Sequence, residues 1–588
     1  MARSMTTVVT QVTQPGRVSP AGYGLRRRLG RSLVALGASL LAGGFTPALA
    51  QAAERIELTF GALGLSIEMK SLEDFVATGE ISDELEFYTR FLTPDQLAQV
   101  RSALTDRLDI NLLAVSQFFN APQGETILRR LAQVIRTGRN LQSVPALRAA
   151  IVRSAADPEG LTPLNLLRYY PTPSMRVDLA QALSLWRQIE ENTIHQDQAT
   201  TAVETAFAAQ AGSPITPPPF ELRQPGPYAT AKTNRVIQPR DRRPFAADLY
   251  WPLAATGDRP VVVISHGLGS DRRTYGYLGE HLASHGFIAI LLEHPGSDSR
   301  YIQALINGEA SEAADPREFI SRPADVRDIL NELETNPQAP GGFTGAIDLD
   351  RTAVVGQSFG GYTALASAGA PLNFKRLKTD CASDDLFWNT SLLLQCRALV
   401  VRPTPDTDYL SLQDARVKAV VAISPITSSL FGREGIAQLQ VPTAILSASN
   451  DPIALPLSEQ LRPFAQMSIA DKYLLVLRGG THFSTLGATG DETVQLPASL
   501  VGPRPDLARD YTKAFITAFL KRYLGNDHTM ANHLTPQWAN SVSQPELPLY
   551  LLSQLSIEQL PRPVAHKLTK NSRWIANRHR PDQPIQSR

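Results

Sequence analysis

Apolar and polar positions follow two rhythms along the chain. Between residues 54 and 210 the apolar residues recur mostly at spacings of three and four, the helical period. Thr93-Pro94 is a helix start, with Leu97, Val100 and Leu104 on one face. Residues 112–119, 127–135, 146–155 and 177–191 carry the same period, and Thr162-Pro163 opens another helix. Ser71-Leu-Glu-Asp74 has the form of a capping box, which predicts a helix start there, running into Phe75. Residues 56–60 alternate as a strand, with 65–67 as its pairing partner. From about residue 220 the rhythm changes. Strand-like runs at 246–251, 259–265, 287–292, 353–355, 417–423, 443–446 and 473–477 now alternate with helical stretches at 278–284, 326–333 and 506–524. Such alternation predicts an α/β domain with a mostly parallel central sheet and helices on both faces. A small, mainly helical domain precedes it.

Two long stretches interrupt the α/β pattern, a loop at 294–322 and an insertion at 371–416. The segment 210–227 contains Pro214, Pro217, Pro218, Pro219, Pro225 and Pro227, the composition of a semi-rigid linker. Beyond residue 525 the rhythm fades, and 549–560 is predicted as one more helix. The tail from 562 to 588 has seven Arg or Lys against one Asp, and its composition predicts disorder. At the other end, Arg26, Arg27, Arg28 and Arg31 precede a short apolar run over 32–45 and the small-x-small triplet Ala48-Leu49-Ala50. That is the layout of an export signal, cleaved near Gln51. The predicted organisation is a signal peptide over 1–50, a mainly helical domain over 51–210 and a linker over 211–227. A catalytic α/β domain follows over 228–525, with its insertion at 371–416, and then an extension over 526–588. The location is periplasmic or extracellular.

Composition narrows the picture only slightly. The 588 residues are 43% hydrophobic and 19% charged, with a net charge of +1. A near-neutral balance argues against a nucleic-acid partner. No internal stretch of about eighteen apolar residues predicts a membrane span. The two cysteines, Cys381 and Cys396, read in an exported chain as a disulfide rather than as a metal site. No metal or organic cofactor is implied.

The chemistry is concentrated in Gly356-Gln-Ser358-Phe-Gly360-Gly361, set between an apolar strand and a helix of small residues. This is a nucleophile elbow, a turn so sharp that glycine is needed two residues on either side of the serine. A serine hydroxyl needs a base, and the base needs an acid that fixes its tautomer. In this architecture they follow in the order serine, acid, histidine. Of His482, His528, His533, His566 and His579, only His482 lies in a glycine-rich loop directly after a predicted strand. Asp451 follows the strand before it and precedes Pro452, and is the predicted acid. Asp471 precedes its strand and would point to the wrong end of the sheet. The oxyanion donors predicted are the backbone N–H of Phe359 and that of Leu268 in Ser265-His-Gly-Leu-Gly269. His266 is read as a prop for that loop, and His195 as a solvated side chain.

The segments 265–269 and 356–361 resemble those of the α/β-hydrolase family of platelet-activating-factor acetylhydrolases. The Asp451 and His482 segments are more similar to dienelactone hydrolases and cutinase-like polyesterases. The resemblance covers about residues 225–525, and residues 54–200 resemble an uncharacterised helical domain found ahead of such hydrolases. It implies an α/β-hydrolase fold and a serine esterase acting on lipid or short-acyl esters. Peripheral membrane contact is compatible with such a substrate. Two departures stand out: the strand after the elbow ends in Ala422-Ile-Ser424-Pro425 without a carboxylate, and the nucleophile is serine where dienelactone hydrolases have cysteine. Two other readings stay open, a peptidase or amidase with the same three residues and a non-catalytic envelope binding protein. Leu386, Phe387 and Trp388 are candidates to line an apolar acyl pocket.

Overall fold

The computed structural model describes residues 52–90, 92–108, 111–212, 220–382, 389–487 and 498–562. The predicted signal peptide, most of the proline-rich linker, the basic tail beyond Arg562 and Leu386, Phe387 and Trp388 lie outside these residues. No helix among the described residues is long and apolar enough to cross a membrane.

The centre of the molecule is a nine-stranded sheet. Its strands are β1 (Thr230–Ile237), β2 (Phe245–Pro252), β3 (Asp258–Ser265), β4 (Ile288–Leu292), β5 (Ala346–Gln357), β6 (Val417–Ile423), β7 (Thr443–Ala448), β8 (Lys472–Leu477) and β9 (Leu549–Leu552). Across the sheet the order is β9-β8-β7-β6-β5-β3-β4-β2-β1. The run from β4 through β3, β5, β6 and β7 to β8 is parallel, and β1, β2 and β9 complete the edges in antiparallel pairing. This is the α/β-hydrolase fold that the alternating pattern and the resemblance predict. The inner strands are apolar on both faces because helices cover both: Val261–Ile264 and Val354–Val355 are all at most 3% exposed. Parallel pairing puts the carboxyl ends of β3, β5, β7 and β8 on one edge, where an open α/β sheet gathers its functional loops.

The first part of the chain has its own small four-stranded sheet and its own core, which includes Leu128, Leu147, Ala150 and Tyr170. Thr93 caps the helix Pro94–Thr105 in a full capping box with Gln96, as its sequence suggests. The helix predicted at Ser71 instead begins at Met69, with Glu68 at the cap and no side-chain cap bond. The helix predicted over 177–191 runs as Leu179–Ala211, preceded by the strand Ser174–Asp178. Its second half buries Ala199, Val203, Ala206 and Phe207 in the same core as the nine-stranded sheet.

Both excursions from the sheet meet this first part. The helix Leu112–Asn120 packs against Ser299–Ile306, which occupies part of the predicted loop 294–322. The helix Pro122–Val134 packs against Ser391–Gln395 in the insertion. Arg397 holds Glu312 through two bonds of 2.6 Å, joining the two excursions to each other. A disulfide between Cys381 and Cys396 closes the insertion, with the Cα atoms 5.7 Å apart. Closing a loop of 15 residues restricts the unfolded chain by about 3 kcal/mol. Thermal unfolding with and without reductant should therefore differ by a stability of that order. Equal unfolding curves would mean that the insertion is held by its other bonds alone.

Candidate active site

Ser358 sits at the turn from β5 into the helix Phe359–Ser367 with φ 56° and ψ −114°. That is a strained conformation for a residue with a side chain. The chain holds it because its surroundings leave no alternative. A Cβ on Gly356 would lie 2.0 Å from the carbonyl oxygen of Gly360, and one on Gly360 would lie 2.0 Å from that of Ser265. The Ser358 N–H donates to the Ile423 carbonyl at 2.8 Å, which ties the elbow to the end of β6. The residue is buried, at 7% exposure, and Oγ makes no hydrogen bond to any of the described residues.

His482 and Asp451 are brought together. His482 Nδ1 lies 2.7 Å from Asp451 Oδ2, both side chains being nearly inaccessible. The other carboxylate oxygen, Oδ1, accepts the N–H groups of Ile453 and Ala454, each at 2.8 Å. The acid is thus fixed by its own loop, and Nδ1 is the protonated ring nitrogen. Nε2 is left as the acceptor, the tautomer a general base needs. Ser358 Oγ and His482 are not hydrogen-bonded in this structure. What joins their segments is Gln357, whose Nε2 donates to the His482 carbonyl at 3.2 Å. Catalytic contacts of this type commonly tighten when substrate binds. Asp451→Asn keeps the acceptor for Ile453 and Ala454 but faces His482 Nδ1 with an amide donor. Turnover should fall by about 10⁴-fold with the fold intact, measured as kcat beside a circular-dichroism spectrum. A loss under tenfold would mean that Asp451 does not hold the histidine.

The loop after β3 comes close to the same serine. A Cβ on Gly267 would lie 3.4 Å from Ser358 Cβ. Neither Leu268 N–H nor Phe359 N–H has a partner among the described residues, so both donors remain free. His266 is fully buried, and burial pushes its imidazole well below the ordinary range, so it is neutral. His266 Nε2 accepts the His294 N–H at 3.1 Å, so Nδ1 carries the proton and donates to the Gly267 carbonyl at 2.7 Å. That carbonyl belongs to the peptide whose N–H is Leu268's. His266 therefore holds the Gly267–Leu268 peptide in place, a more specific role than a general prop.

A second line of serine, histidine and aspartate runs beneath the site. His294 Nε2 is 2.9 Å from Ser265 Oγ, and its Nδ1 is 2.9 Å from Asp325 Oδ2. Ser265 and His294 are completely buried, and burial holds the imidazole neutral. Asp325 is also bound by Arg242. Ser265 ends an ordinary strand with its hydroxyl already bonded to His294, whereas Ser358 holds the strained turn with its hydroxyl unpartnered among the described residues. Sequence reading missed it, and missed Arg322, because 294–322 reads as loop. In the structure the helix Glu318–Thr335 places Glu318, Arg322 and Asp325 on one inward face at helical spacing.

Glu459, also unanticipated, is completely buried in a turn of π-helix. Its carboxylate accepts the N–H groups of Thr427 and Ser428 at 2.7 and 2.9 Å, Gln395 Nε2 at 3.1 Å, the Ser428 hydroxyl and Asn389 Nδ2. It pins the insertion to the sheet edge beside the Asp451 loop. His195 is half-buried rather than solvated. It lines a cavity of about 380 Å³ between the long helix, the insertion and Leu455, and none of Ser358, Asp451 and His482 lines it. No group of three or more metal-ligating side chains occurs among the described residues.

Comparisons with known proteins agree with this architecture. Residues 52–178 match a family described as "Alpha/beta hydrolase of unknown function". Residues 246–327 match the family "Platelet-activating factor acetylhydrolase, isoform II". The second match contains the loop of Leu268 and the buried network, and both end before Ser358. Among individual proteins, the platelet-activating factor acetylhydrolase of Canis lupus familiaris is 31% identical over an alignment of 159 residues that covers 21% of this chain and 35% of the dog protein. The Bos taurus protein of the same name is 29% identical over 153 residues, 20% of this chain and 34% of its own length. The alignments thus span about a third of these relatives. The chain is an α/β hydrolase by fold and resembles the platelet-activating-factor acetylhydrolases.

Proposed function

We propose that this chain is an exported serine hydrolase that cleaves carboxylic esters, lipid or short-acyl, through an acyl-enzyme. One observation carries the reading: a serine on a strained elbow whose hydroxyl has no partner among the described residues, in the segment joined through Gln357 to a histidine whose tautomer is fixed by a buried aspartate. Ser358 Oγ attacks the ester carbonyl as its proton passes to His482 Nε2. The carbonyl electron pair moves onto oxygen, where the Leu268 and Phe359 N–H groups receive it. Collapse expels the alcohol, which takes the proton from His482, and leaves the acyl group on Ser358. Water, deprotonated by His482, then attacks the acyl carbon; collapse breaks the bond to Ser358 Oγ, which takes the proton back from His482, and releases the acid. Asp451 holds the imidazole throughout and stabilises its cation.

The resemblance to acetylhydrolases supports an ester over an amide substrate and favours a lipid one. The packing of helices 112–120 and 122–134 on the two excursions supports a covering role for the first part of the chain. The disulfide is a bond that oxidising compartments maintain, which fits export. Hydrolysis of nitrophenyl esters of graded acyl length, beside the matching anilides, tests the proposal. Esters should turn over with a defined length preference and anilides far more slowly. Anilide cleavage at comparable rates would assign a peptidase or amidase instead, and silence on both with folded protein would contradict the reading.

A further inference from the structure

We propose that Arg322 is a positioning residue for both oxyanion donors, an inference that rests on the esterase reading. Its side chain is completely buried. Nη1 donates to the His266 carbonyl at 2.7 Å, and Nε and Nη2 donate to Ser297 Oγ at 2.9 and 2.7 Å. The Ser297 carbonyl in turn accepts the Gly269 N–H at 2.9 Å. Leu268 is therefore gripped from both sides, through His266 and through Gly269, by contacts that converge on one guanidinium. The same group lies over the Phe359 ring, 4.3 Å from its centre. Phe359 carries the other donor, so one planar cation touches both chain segments that must point N–H groups at the same oxygen.

The chemistry of the group suits that task. A guanidinium offers donors in a fixed fork and stacks on an aromatic face, and an ammonium can do neither in one geometry. Burial lowers its pKa to about 10, so it stays cationic at neutral pH. Glu318 Oε2 stands 3.5 Å away and accepts the Ser297 hydroxyl at 2.6 Å, which fixes the far side of the serine that the guanidinium grips. An apolar side chain would fill this space without the cost of desolvating a charge. What only the guanidinium supplies is the simultaneous grip on His266, Ser297 and Phe359.

The test compares wild type, Arg322→Lys and Ser297→Ala as full chains. It measures kcat and KM on a nitrophenyl ester and the inhibition constant of a trifluoromethyl ketone, which forms a hemiketal oxyanion on the nucleophile. Arg322→Lys keeps the charge and loses the fork. Its kcat should fall by about 10- to 100-fold, with KM within about twofold, and its inhibition constant for the ketone should rise by a similar factor. Ser297→Ala loosens the guanidinium without removing it and should move kcat and the ketone constant together by a smaller factor. If the lysine variant does not fold, the alanine variant decides by the same pair of readouts. A folded variant with kcat lowered and ketone affinity unchanged would assign Arg322 a purely structural role and overturn the inference. So would unchanged values for both constants in an active background. A wild type that neither turns over esters nor binds the ketone would instead refute the esterase reading, and this inference with it.

Discussion

Ser358→Ala should lower kcat for ester hydrolysis by about 10⁴- to 10⁶-fold while leaving the protein folded. The size of the effect follows from the division of labour at the site. On the proposed mechanism no acyl-enzyme forms without the hydroxyl, and only substrate binding and the proposed oxyanion donors remain to assist attack by water. Retention of the fold follows from geometry. Ser358 Oγ makes no hydrogen bond to the described residues, so its removal leaves no buried partner unsatisfied. The strained φ of 56° is set by the turn and is borne equally by alanine. Stopped or steady-state assays beside thermal unfolding check both halves. Residual activity within a hundredfold of wild type would mean that another nucleophile is at work.

Gly360→Ala should remove activity by a different route, through the backbone. A methyl group there would sit 2.0 Å from the Ser265 carbonyl oxygen, 2.6 Å from its carbonyl carbon and 2.8 Å from the His266 oxygen. These are backbone atoms at the end of β3, so no side-chain rotation relieves the clash. The elbow helix must part from the strand that carries the Leu268 loop, which separates the Phe359 and Leu268 N–H groups proposed as oxyanion donors. Overpacking of this kind costs about 1–3 kcal/mol or more. We therefore expect a lowered unfolding temperature together with near-complete loss of turnover. A soluble variant with wild-type melting and wild-type kcat would show that the strand and helix can separate freely, against the tight packing described here.

The placement of the candidate site was largely readable from sequence because of where an α/β sheet gathers its loops. Buried parallel strands appear as short apolar runs, and functional side chains follow directly at their carboxyl ends. Ser358, Asp451 and His482 could each be placed on such an end, and the sheet does carry all three on one edge. Glycine marked the close approaches, since Gly356 and Gly360 have no room for a side chain. The elements that were misread lack those signals. β1 is an edge strand with alternating exposure, and its polar face hid it. β9 was expected as helix because Leu549–Leu552 is too short an apolar run to establish a period, and pairing with β8 decides its conformation. The helix Leu179–Ala211 continues beyond 191 on small and polar residues whose burial comes from packing on the main core.

The polar network under the oxyanion loop was invisible for a further reason. Its members, Arg322, Ser297, His294 and Asp325, come from a stretch with little apolar content, and their burial is a property of the fold. Burial pushes the Glu318 and Asp325 carboxyls up to about 7, a measure of how far from solvent they lie. No local pattern distinguishes such a group from an exposed loop arginine or aspartate. The two lines of serine, histidine and aspartate make the same point. Both have the histidine–aspartate bond, and only the buried line also has its serine bonded to the histidine, so what sets Ser358 apart is its strained position at the elbow.

Reaction of the folded full-length protein with a serine-directed fluorophosphonate, followed by peptide mass mapping, tests the central claim most directly. The account predicts one adduct, on the peptide containing Ser358, absent in Ser358→Ala and formed far more slowly in His482→Ala. Labelling at a different serine, or no labelling of folded wild type, would contradict it.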